Sequence, residues 1–455
     1  MKIIIVGCGR TGTALVKALT AKSYDVTVIE KQKELIESIT DRYSVNGIVG
    51  SGASRETLIK AGADSADILI AVTPVDEINL LSCVEAKAVG VSYTVARVDQ
   101  PDFAANRKEI EKEHSIDYIL NPSYAMAELA AHSIGFPSFV KSQGSFLNDM
   151  GMITLSVTED SPIKDKKVVS IKRELNADIV ISFVLRGDKV YIPKGDFVLS
   201  HGDRIGLIGR DAEILGLLQK MGIVRNAAKK VMIMGGGVTT KYLIDMLLHD
   251  KKSITVIESD LNKCKELMEE YPTIHVSYGE GDMDEILEDE KISKTDAYLS
   301  LTDVDETNLV TSMYAWSRSV PSILTKINAL GTLPLLHKIN LDIILSYSEI
   351  AVSKMINFIK NIEVKSDEND IEKYMAIANN KAELLLFTAK DGFKKMNVPF
   401  KDVRLNIKKN ALIIAIYRDG ELILPKGDNF IQKGDLVTVV TDSKNHIESL
   451  NDVFN

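Results

Sequence analysis

Length, composition and charge exclude several classes of protein at the outset. The chain has 455 residues, 45% of them hydrophobic, and a formal net charge of −9. Its length is enough for about three domains, each with its own core. Its acidity disfavours a nucleic-acid binder, which concentrates positive charge against phosphates. Cys8, Cys83 and Cys264 are odd in number and far apart, which predicts free thiols in a reducing, cytoplasmic compartment rather than a disulfide framework.

Residues 1–140 alternate short, β-rich apolar runs with helical patterns. The predicted strands are "KIIIV", "DVTVI", "NGIVG", "DILIAV", "YTVARV" and "DYIL". This alternation predicts a parallel sheet covered by helices, a doubly wound Rossmann-like domain. Apolar residues then recur at helical spacing over 122–140. A helix there could not bury its apolar face against its own domain, so we expect it to be a candidate dimer contact.

Residues 141–226 have a different pattern and predict a small α+β domain. Short strands at "MITLSV", "DIVISFVLRG", "KVYIPKG" and "RIGLIG" surround one helical piece near "KDKKVVSIKREL". The turn sequences "PKGD" and "HGD" favour glycines with positive φ and aspartates that hydrogen-bond the local backbone. A carboxylate cluster for a cation is the less favoured alternative.

An internal repeat organises the whole chain. Glu258 follows Glu30 by 228 positions, Thr302 follows Thr73 by 229, and Pro425 follows Pro193 by 232. A near-constant offset over so long a stretch indicates a duplicated pair of domains. The sequence therefore predicts two Rossmann-like domains, each followed by a small α+β domain, with bounds at 1–140, 141–226, 227–362 and 363–455. The acidic stretch 363–373 is expected to be a linker or an exposed loop.

The first glycine loop, "GCGRTG" at 7–12, follows a predicted strand and opens a helical pattern. In a dinucleotide-binding loop Gly7 permits the tight turn, Gly9 lets the backbone approach a pyrophosphate and Gly12 allows close helix packing. The amides of the helix start would face the phosphates. A glycine-rich turn without a ligand is the alternative.

Other residues of this loop have their own alternatives. Arg10 could bind phosphate oxygens with its guanidinium, or lie exposed at the helix start. Thr11 completes the loop, and Cys8 is expected to fill a small space rather than to do redox work. Glu30 ends the next strand, where it would bind the ribose hydroxyls and repel a 2′-phosphate, favouring NAD or an adenine nucleotide over NADP. A solvated glutamate is the alternative.

Two further segments of the first domain fall at the ligand side of the sheet. In "VTPVDEINL", Thr73 is predicted as the N-cap and Pro74 as the first residue of a helix. Both would line the adenine or ribose side of the crevice at the strand ends. Arg97 ends the fifth predicted strand, where phosphate binding is favoured over a salt bridge with a neighbouring carboxylate.

The second glycine loop is an imperfect copy of the first. Gly235 and Gly237 occupy the first two glycine positions, whereas Val238 replaces Arg10 and Thr240 replaces Gly12. We expect Thr240 to crowd the helix against the strand. Because Glu258 is retained, this domain is predicted to be a weaker or differently occupied site, or only a structural copy.

No catalytic constellation accompanies these loops. The seven histidines are scattered without metal-ligand spacing, and none falls in the glycine-loop motifs. The pattern favours a ligand-gated regulator that is not an enzyme. An NAD-dependent oxidoreductase, with the small domains closing over a substrate, is the alternative.

The glycine loop, Glu30, "VTPVDEINL", Arg97 and the paired small domains resemble the TrkA family, regulatory subunits of Trk-type potassium uptake systems built from RCK domains. The resemblance covers essentially the whole chain. It implies NAD(H) or ATP/ADP as the regulatory ligand, with Gly7 to Gly12, Glu30, Thr73, Pro74 and Arg97 in the binding roles. It also implies a homo-oligomeric ring, a dimer or a dimer of dimers, beneath an integral-membrane potassium-translocating subunit.

The chain itself lacks the pattern of a membrane protein. No apolar run reaches the roughly eighteen residues that a spanning helix needs, and the N-terminus enters a strand pattern without a cleavable signal. We therefore expect a cytoplasmic chain that reaches the inner face of the membrane through its partner.

Overall fold

A computed structural model describes most of the chain. The described residues are 1–134, 140–146, 150–187, 189–223, 228–279, 283–328, 343–366, 370–378, 381–402, 405–445 and 447–455. They form two compact units, one of Met1–Ile134 with Ala228–Ile356 and the other of Gly135–Ala227 with Asn357–Asn455. Each unit combines corresponding parts of the two repeats.

The first Rossmann module is a parallel sheet with helices on both faces. Its elements are β1 (Lys2–Val6), α1 (Arg10–Thr20), β2 (Asp25–Glu30), α2 (Lys33–Arg42), β3 (Asn46–Val49), α3 (Arg55–Lys60), β4 (Ile68–Ala71), α4 (Asp76–Val89), β5 (Tyr93–Arg97), α5 (Pro101–Ala105), α6 (Arg107–Glu113), β6 (Tyr118–Leu120) and α7 (Pro122–Ser133). The strand order is β3-β2-β1-β4-β5-β6. The order reverses between β1 and β4, and ligands bind at such a switch point, beyond the carboxyl ends of the strands.

The second Rossmann module repeats this architecture. Its elements are β12 (Lys230–Met234), α10 (Val238–His249), β13 (Ser253–Glu258), α11 (Leu261–Glu270), β14 (His275–Tyr278), α12 (Met283–Asp289), β15 (Ala297–Ser300), α13 (Asp305–Ser317), β16 (Ser322–Lys326), β17 (Ile343–Leu345) and α14 (Tyr347–Ser366). The strand order β14-β13-β12-β15-β16-β17 is the same order one repeat later. The central strands of both sheets are buried apolar runs, as expected for strands covered on two faces.

The first C-terminal module is a small α+β domain, and the described residues of the second form the equivalent sheet with a short 3-10 helix at Leu450–Val453. The first contains β7 (Val140–Ser145), β8 (Gly151–Ser156), α8 (Val168–Glu174), β9 (Ile179–Arg186), β10 (Lys189–Tyr191), β11 (Arg204–Gly209) and α9 (Asp211–Lys220), and the second contains β18 (Ile371–Ile377), β19 (Ala382–Thr388), β20 (Ala411–Arg418), β21 (Glu421–Ile423) and β22 (Leu436–Asp442). The sheets have the antiparallel orders β10-β9-β11-β8-β7 and β18-β19-β22-β20-β21, which are equivalent under the repeat.

The predicted fold class is therefore confirmed, with local differences. The acidic stretch 363–373 is not simply a linker, because its start belongs to α14 and its end to β18, while 367–369 lie outside the described residues. The domain bounds at 140, 226 and 362 stay predictions.

Helix α7 is not a free face for dimerisation, so that prediction was wrong. Its N-cap is Asn121, whose side chain accepts from the Tyr124 amide at 2.7 Å, and the helix ends at Ser133. Residues 135–139 lie outside the described residues. Ala127 and Ala130 are fully buried and pack in one core with Leu243 of α10. The apolar face of α7 is thus covered inside the chain, by the second Rossmann module.

A tyrosine stabilises this contact between the Rossmann modules. The Tyr242 hydroxyl accepts a hydrogen bond from the Asn121 amide at 2.8 Å and donates one to the Asp99 carbonyl at 3.1 Å. Burial raises the pKa of Tyr242 to about 12, which keeps the hydroxyl protonated as a donor. Its ring meets Tyr124 edge-on, with 5.4 Å between the centroids.

We predict that Tyr242→Phe lowers the free energy of unfolding by about 1 kcal/mol, because the buried Asn121 amide and the partly buried Asp99 carbonyl each lose a hydrogen bond while the ring packing is kept. Urea titration followed by circular dichroism measures this change. The control is Tyr314→Phe, whose hydroxyl bonds an exposed Glu288 carboxylate. Equal effects of the two variants would contradict a stabilising role for the Tyr242 hydroxyl.

Candidate functional site

Both glycine loops end in a helix start that lacks a side-chain cap. Gly7 and Gly235 each have a φ of +100°, the conformation that their tight turns require. Gly9 and Gly237 are the N-caps of α1 and α10, and neither helix start has a side-chain cap hydrogen bond. Amides at such a helix start carry partial positive charge and are available to an anion.

The third loop position differs between the modules but is accommodated in both. A Cβ on Gly12 would lie 2.0 Å from the carbonyl oxygen of Gly7, so this position requires glycine in the first loop. The expected crowding at Thr240 was wrong. Thr240 is fully buried, and its hydroxyl donates to the Gly235 carbonyl at 2.5 Å. The first loop is tight because glycine has no side chain at this position. In the second loop, the Thr240 side chain is accommodated by its hydrogen bond to the Gly235 carbonyl.

The acids at the ends of the second strands hold the loops in place. A carboxylate oxygen of Glu30 accepts from the Cys8 amide at 2.8 Å, and one of Glu258 accepts from the Gly236 amide at 2.6 Å. Each carboxylate also accepts two hydrogen bonds from the two residues that follow it in the sequence, so of about four acceptor positions about one remains for a ribose hydroxyl. Cys8 is buried, and burial raises the pKa of its thiol, which agrees with a space-filling role.

The segment after β4 is not capped as predicted. Helix α4 begins at Asp76 with Val75 as its N-cap, so Thr73 is not the N-cap and Pro74 is not its first residue. The Thr73 hydroxyl is engaged elsewhere, donating to the Asn79 side chain at 2.7 Å. Asp76 is buried and accepts the Asp99 amide at 2.9 Å. Burial raises the pKa of Asp76.

Sequence reasoning missed the asparagines of this motif, Asn79 and Asn308. Asn79 accepts from the Thr73 amide and donates to the carbonyls of Thr73 and Arg97, at 2.8 to 2.9 Å. Asn308 makes the same bonds one repeat later. Each asparagine ties together the ends of two neighbouring strands. The asparagine occurs in both copies of the motif, "VTPVDEINL" at 72–80 and "LTDVDETNL" at 301–309, and this repetition was a signal that could have identified it.

The cations at the ends of β5 and β16 are both paired with acids. Arg97 Nε lies 3.2 Å from Asp99 Oδ2, which also accepts the Tyr347 hydroxyl of the second module at 2.5 Å. Lys326 Nζ lies 2.8 Å from Asp303 Oδ1. The salt-bridge alternative for Arg97 is thus realised in the structure, and phosphate binding by Arg97 stays a prediction.

A cavity of about 680 Å³ lies between the two Rossmann modules, within the usual range for small-molecule sites. Its wall includes the predicted site residues Gly9, Arg10, Thr11, Pro74, Arg97, Gly235, Gly237 and Glu258. The other predicted site residues, Gly7, Cys8, Gly12, Glu30 and Thr73, are not part of this wall. The cavity therefore brings together the starts of α1 and α10, with the acid of the second module.

Three charged residues of the cavity come together across the modules. Arg10 of the first module and Lys263 of the second line the cavity with Asp303. The hydrogen bond from Lys326 lowers the pKa of Asp303, and the charges of Lys263 and Arg10 lower it further. Asp303 and Lys263 were missed by sequence reasoning because their role depends on how the two modules pair.

Neither a metal centre nor a membrane span is found in the described part of the chain. No group of three or more His, Cys, Asp or Glu side chains there could hold a metal ion. His337 and His446 lie outside the described residues. Of the helices described, none is long and apolar enough to cross a membrane.

Comparison with known protein families shows to which family the chain belongs. The TrkA-N domain family matches residues 3–122 and 231–347, more than half of the chain, and the TrkA-C domain family matches residues 152–222. The chain belongs to the TrkA family. The TrkA-N matches cover nearly all of both Rossmann modules, in agreement with the tandem repeat.

Curated TrkA relatives match over the full length. The chain is 28% identical to the Trk system potassium uptake protein TrkA homolog of Archaeoglobus fulgidus, with 100% of both chains covered. It is 26% identical to TrkA homolog 1 of Methanosarcina mazei, covering 96% of this chain and 97% of that protein. These relatives are named as potassium uptake proteins and not as enzymes, which agrees with the expectation that this TrkA chain is not an enzyme and disfavours the oxidoreductase alternative.

Solved structures of another protein share the TrkA fold. The GsuK channel bound to NAD has a TM-score of 0.64 at 15% identity, covering 97% of this chain and 77% of that chain. GsuK bound to ADP has a TM-score of 0.51 at 13% identity, covering 80% and 70%. At this identity the likeness establishes the fold.

Proposed function

We propose that the chain is a cytoplasmic, nucleotide-binding regulatory subunit that gates a Trk-type potassium-translocating membrane protein from the inner face of the membrane. The observation that carries this proposal is the cavity between the Rossmann modules, onto which the uncapped starts of α1 and α10 open. Membership of the TrkA family supports the potassium system, and the NAD and ADP of the GsuK structures support the ligand class.

The proposed ligand is NAD(H) or ATP/ADP. Its phosphates would bind the free amides of a helix start at Gly9 or Gly237, where the helix dipole favours negative charge. Its ribose hydroxyls would bind Glu30 or Glu258, whose charge disfavours a 2′-phosphate. Of the two loops, Gly235 to Gly237 and Glu258 contribute most fully to the cavity wall.

The position of the cavity suggests how a bound ligand would regulate the membrane subunit. A ligand held between two modules contacts both, so it stabilises the arrangement in which both sets of contacts are made. In a homo-oligomeric ring, a dimer or a dimer of dimers, the change in the arrangement of the modules would be transmitted to the membrane subunit. The regulation is then a difference in ligand affinity between two arrangements and needs no chemical step.

We predict that Gly9→Asp and Gly237→Asp each remove one nucleotide site while the chain stays folded. A Cβ at either glycine meets nothing within 4 Å, and aspartate is a favourable N-cap. Its carboxylate would stand where a phosphate approaches, so we expect affinity to fall by about thirtyfold, or ~2 kcal/mol. Calorimetric titration with NADH, NAD, ATP and ADP measures the loss.

Gly392→Asp is the matched control, because a Cβ there is also in open space but away from the cavity. Unchanged affinity in both loop variants would reject the site. The regulatory function is tested by potassium flux into vesicles that contain a Trk-type membrane subunit, with the chain and each nucleotide added. Flux that does not depend on the chain and the nucleotide would reject the gating proposal.

A further inference from the structure

The loop after β5 contains a carboxylate that is held by donors from both Rossmann modules. Asp99 Oδ1 accepts the Ser123 hydroxyl at 2.8 Å and the Ser123 amide at 3.3 Å. Asp99 Oδ2 accepts the Tyr347 hydroxyl of the second module at 2.5 Å. The Asp99 side chain is 18% exposed. Because both oxygens have donors and little of the side chain is in solvent, the position of this carboxylate is fixed.

Arg97 is the cation that faces this carboxylate. Its Nε lies 3.2 Å from Asp99 Oδ2, and its guanidinium lies over the Tyr347 ring, 6.0 Å from the centroid. The Nε is buried and makes no hydrogen bond within the described residues, so charge, and not a directed hydrogen bond, holds it beside Asp99. All three residues line the cavity together with Gly9 of the first loop. A phosphate that reaches Arg97 must therefore approach Asp99 as well.

Tyr347 is a lasting donor to Asp99. Burial raises the pKa of Tyr347, and the negative charge of Asp99 raises it further. The hydroxyl therefore stays protonated near neutral pH and continues to donate to the carboxylate. Since Tyr347 belongs to the second module, the position of the Asp99 carboxylate in the first module depends on how the two modules are paired.

The repeat does not duplicate this arrangement. Asn328 occupies the position of Asp99, 229 residues later. Lys326, at the position of Arg97, pairs instead with Asp303, whose side chain is 91% exposed. An exposed carboxylate can turn away from an incoming phosphate, whereas Asp99 would have to give up its buried hydrogen bonds to do so. The fixed negative charge is therefore a property of the first module.

We propose that Asp99 is a specificity-determining residue of the nucleotide site at the first glycine loop and that Tyr347 is its positioning residue. The fixed carboxylate neutralises Arg97 and repels a ligand that brings a terminal phosphate to it. NAD carries less phosphate charge than ATP, because both of its phosphates are esterified, so this site selects NAD(H) over ATP. The inference rests on the proposed function, since it assigns the ligand class of one of the two proposed sites.

The test is calorimetric titration of the full chain with NAD and ATP in the Gly237→Asp background, in which only the first site remains. Asp99→Asn keeps the shape of the side chain and the main-chain hydrogen bonds of this residue but removes the charge. We expect ATP affinity to rise by about tenfold, because the repulsion is lost. NAD affinity should change by less than about threefold.

Tyr347→Phe tests the positioning role. Without the hydroxyl, the Asp99 carboxylate can turn away from Arg97 at a lower cost, so ATP affinity should rise by about threefold. NAD affinity should stay the same. The ratio of ATP affinity to NAD affinity is the measurement that matters, because a general loosening of the site would lower both affinities and leave their ratio unchanged.

Two controls separate this effect from a general change in charge or stability. Asp102→Asn removes an exposed acid that is close to Asp99 in the sequence but outside the cavity wall. Tyr242→Phe removes the hydroxyl that donates to the main-chain carbonyl of Asp99 and not to its carboxylate, so it loosens the same contact between the modules. Neither variant should alter the ratio of ATP affinity to NAD affinity.

A purely structural role of Asp99 would give a different result. Asp99→Asn and Tyr347→Phe would then weaken ATP and NAD binding to similar extents. A ratio of ATP affinity to NAD affinity that falls or stays the same in Asp99→Asn overturns the inference. If Asp99→Asn does not fold, the same ratio measured in Tyr347→Phe decides.

The failures of the two proposals can be told apart. If nucleotides bind and Gly9→Asp removes the first site, but neither Asp99→Asn nor Tyr347→Phe raises the ratio of ATP affinity to NAD affinity, only this inference fails. If the unmodified chain binds none of NADH, NAD, ATP or ADP, the proposed function fails and this inference fails with it.

Discussion

Asp435→Ala is expected to lower the free energy of unfolding by about 3 kcal/mol, because it removes the buried partner of an ion pair and leaves the largely buried Arg418 guanidinium with the Phe430 carbonyl as its remaining acceptor. Arg418 binds both carboxylate oxygens of Asp435, with Nε and Nη2 at 2.9 and 2.8 Å. The same carboxylate accepts the Gln432 amide at 2.7 Å. Asp435 is 2% exposed and Arg418 26%, so the stranded charge is largely kept from water.

Urea titration of the full chain measures this loss. The matched control is Asp391→Ala, which breaks an ion pair with Lys433 whose partners are 80% and 67% exposed. An exposed pair of this kind contributes about 0 to 1 kcal/mol, so little change is expected. Asp203→Ala, in the first C-terminal module, should have a smaller effect than Asp435→Ala, since its partner Arg186 is 43% exposed. Equal losses in Asp435→Ala and Asp391→Ala would contradict the role of burial.

The turns around these ion pairs were predicted from the sequence only in part. Gly202 has a φ of +82°, and Asp203 accepts the Ser200 amide at 2.8 Å, as predicted for "HGD". Gly434, at the equivalent turn of the second repeat, has a φ of +88°. The glycines of "PKGD", Gly195 and Gly427, do not have positive φ, so that part was wrong. Arg186 was missed as the partner of Asp203 because 17 residues separate the two, and only strand pairing brings them together.

The order of elements was predictable because it is encoded locally. Apolar runs such as Ile3 to Val6 are buried on both faces of their sheets, and glycine at position 7 is required by a φ of +100°. Each of these properties depends on a few neighbouring residues. The duplicated pattern then assigned the same fold to the second half.

The composition of the cavity was not predictable because it depends on the pairing of two modules. The apolar face of α7 could be identified from its spacing, but its partner, α10, begins 105 positions after the end of α7. Arg10 was assigned to its own loop because nothing local indicates that it lines a cavity shared with the second module. Thr73 looked like an N-cap because its hydroxyl was not known to bind Asn79.

The second large effect is expected for Asn308→Ala, which should lower the free energy of unfolding by about 4 kcal/mol. Asn308 is fully buried. Its oxygen accepts from the Thr302 amide at 2.9 Å, and its nitrogen donates to the carbonyls of Thr302 and Lys326, each at 2.9 Å. Alanine leaves these backbone groups without the hydrogen bonds of the asparagine at a partly buried site, and each such buried group costs about 1 to 3 kcal/mol.

The loss should extend to the ligand site, since Asn308 ties the ends of β15 and β16 together beside Asp303 and Lys326. We therefore expect Asn308→Ala to weaken nucleotide binding at the second loop even at temperatures where the chain stays folded. The control for stability is Asn262→Ala, which changes an exposed side chain of α11. Urea titration and calorimetric titration with ATP measure the two effects on the same protein.

Asn79→Ala separates a local effect from a general one. Asn79 makes the corresponding bonds at the ends of β4 and β5, so it should destabilise the chain by a similar amount. Since it holds the strand ends of the first module, it should leave the ATP site at Gly237 largely intact. If Asn79→Ala and Asn308→Ala weakened that site equally, the loss would reflect general instability, and the local role of Asn308 in shaping the cavity would be contradicted.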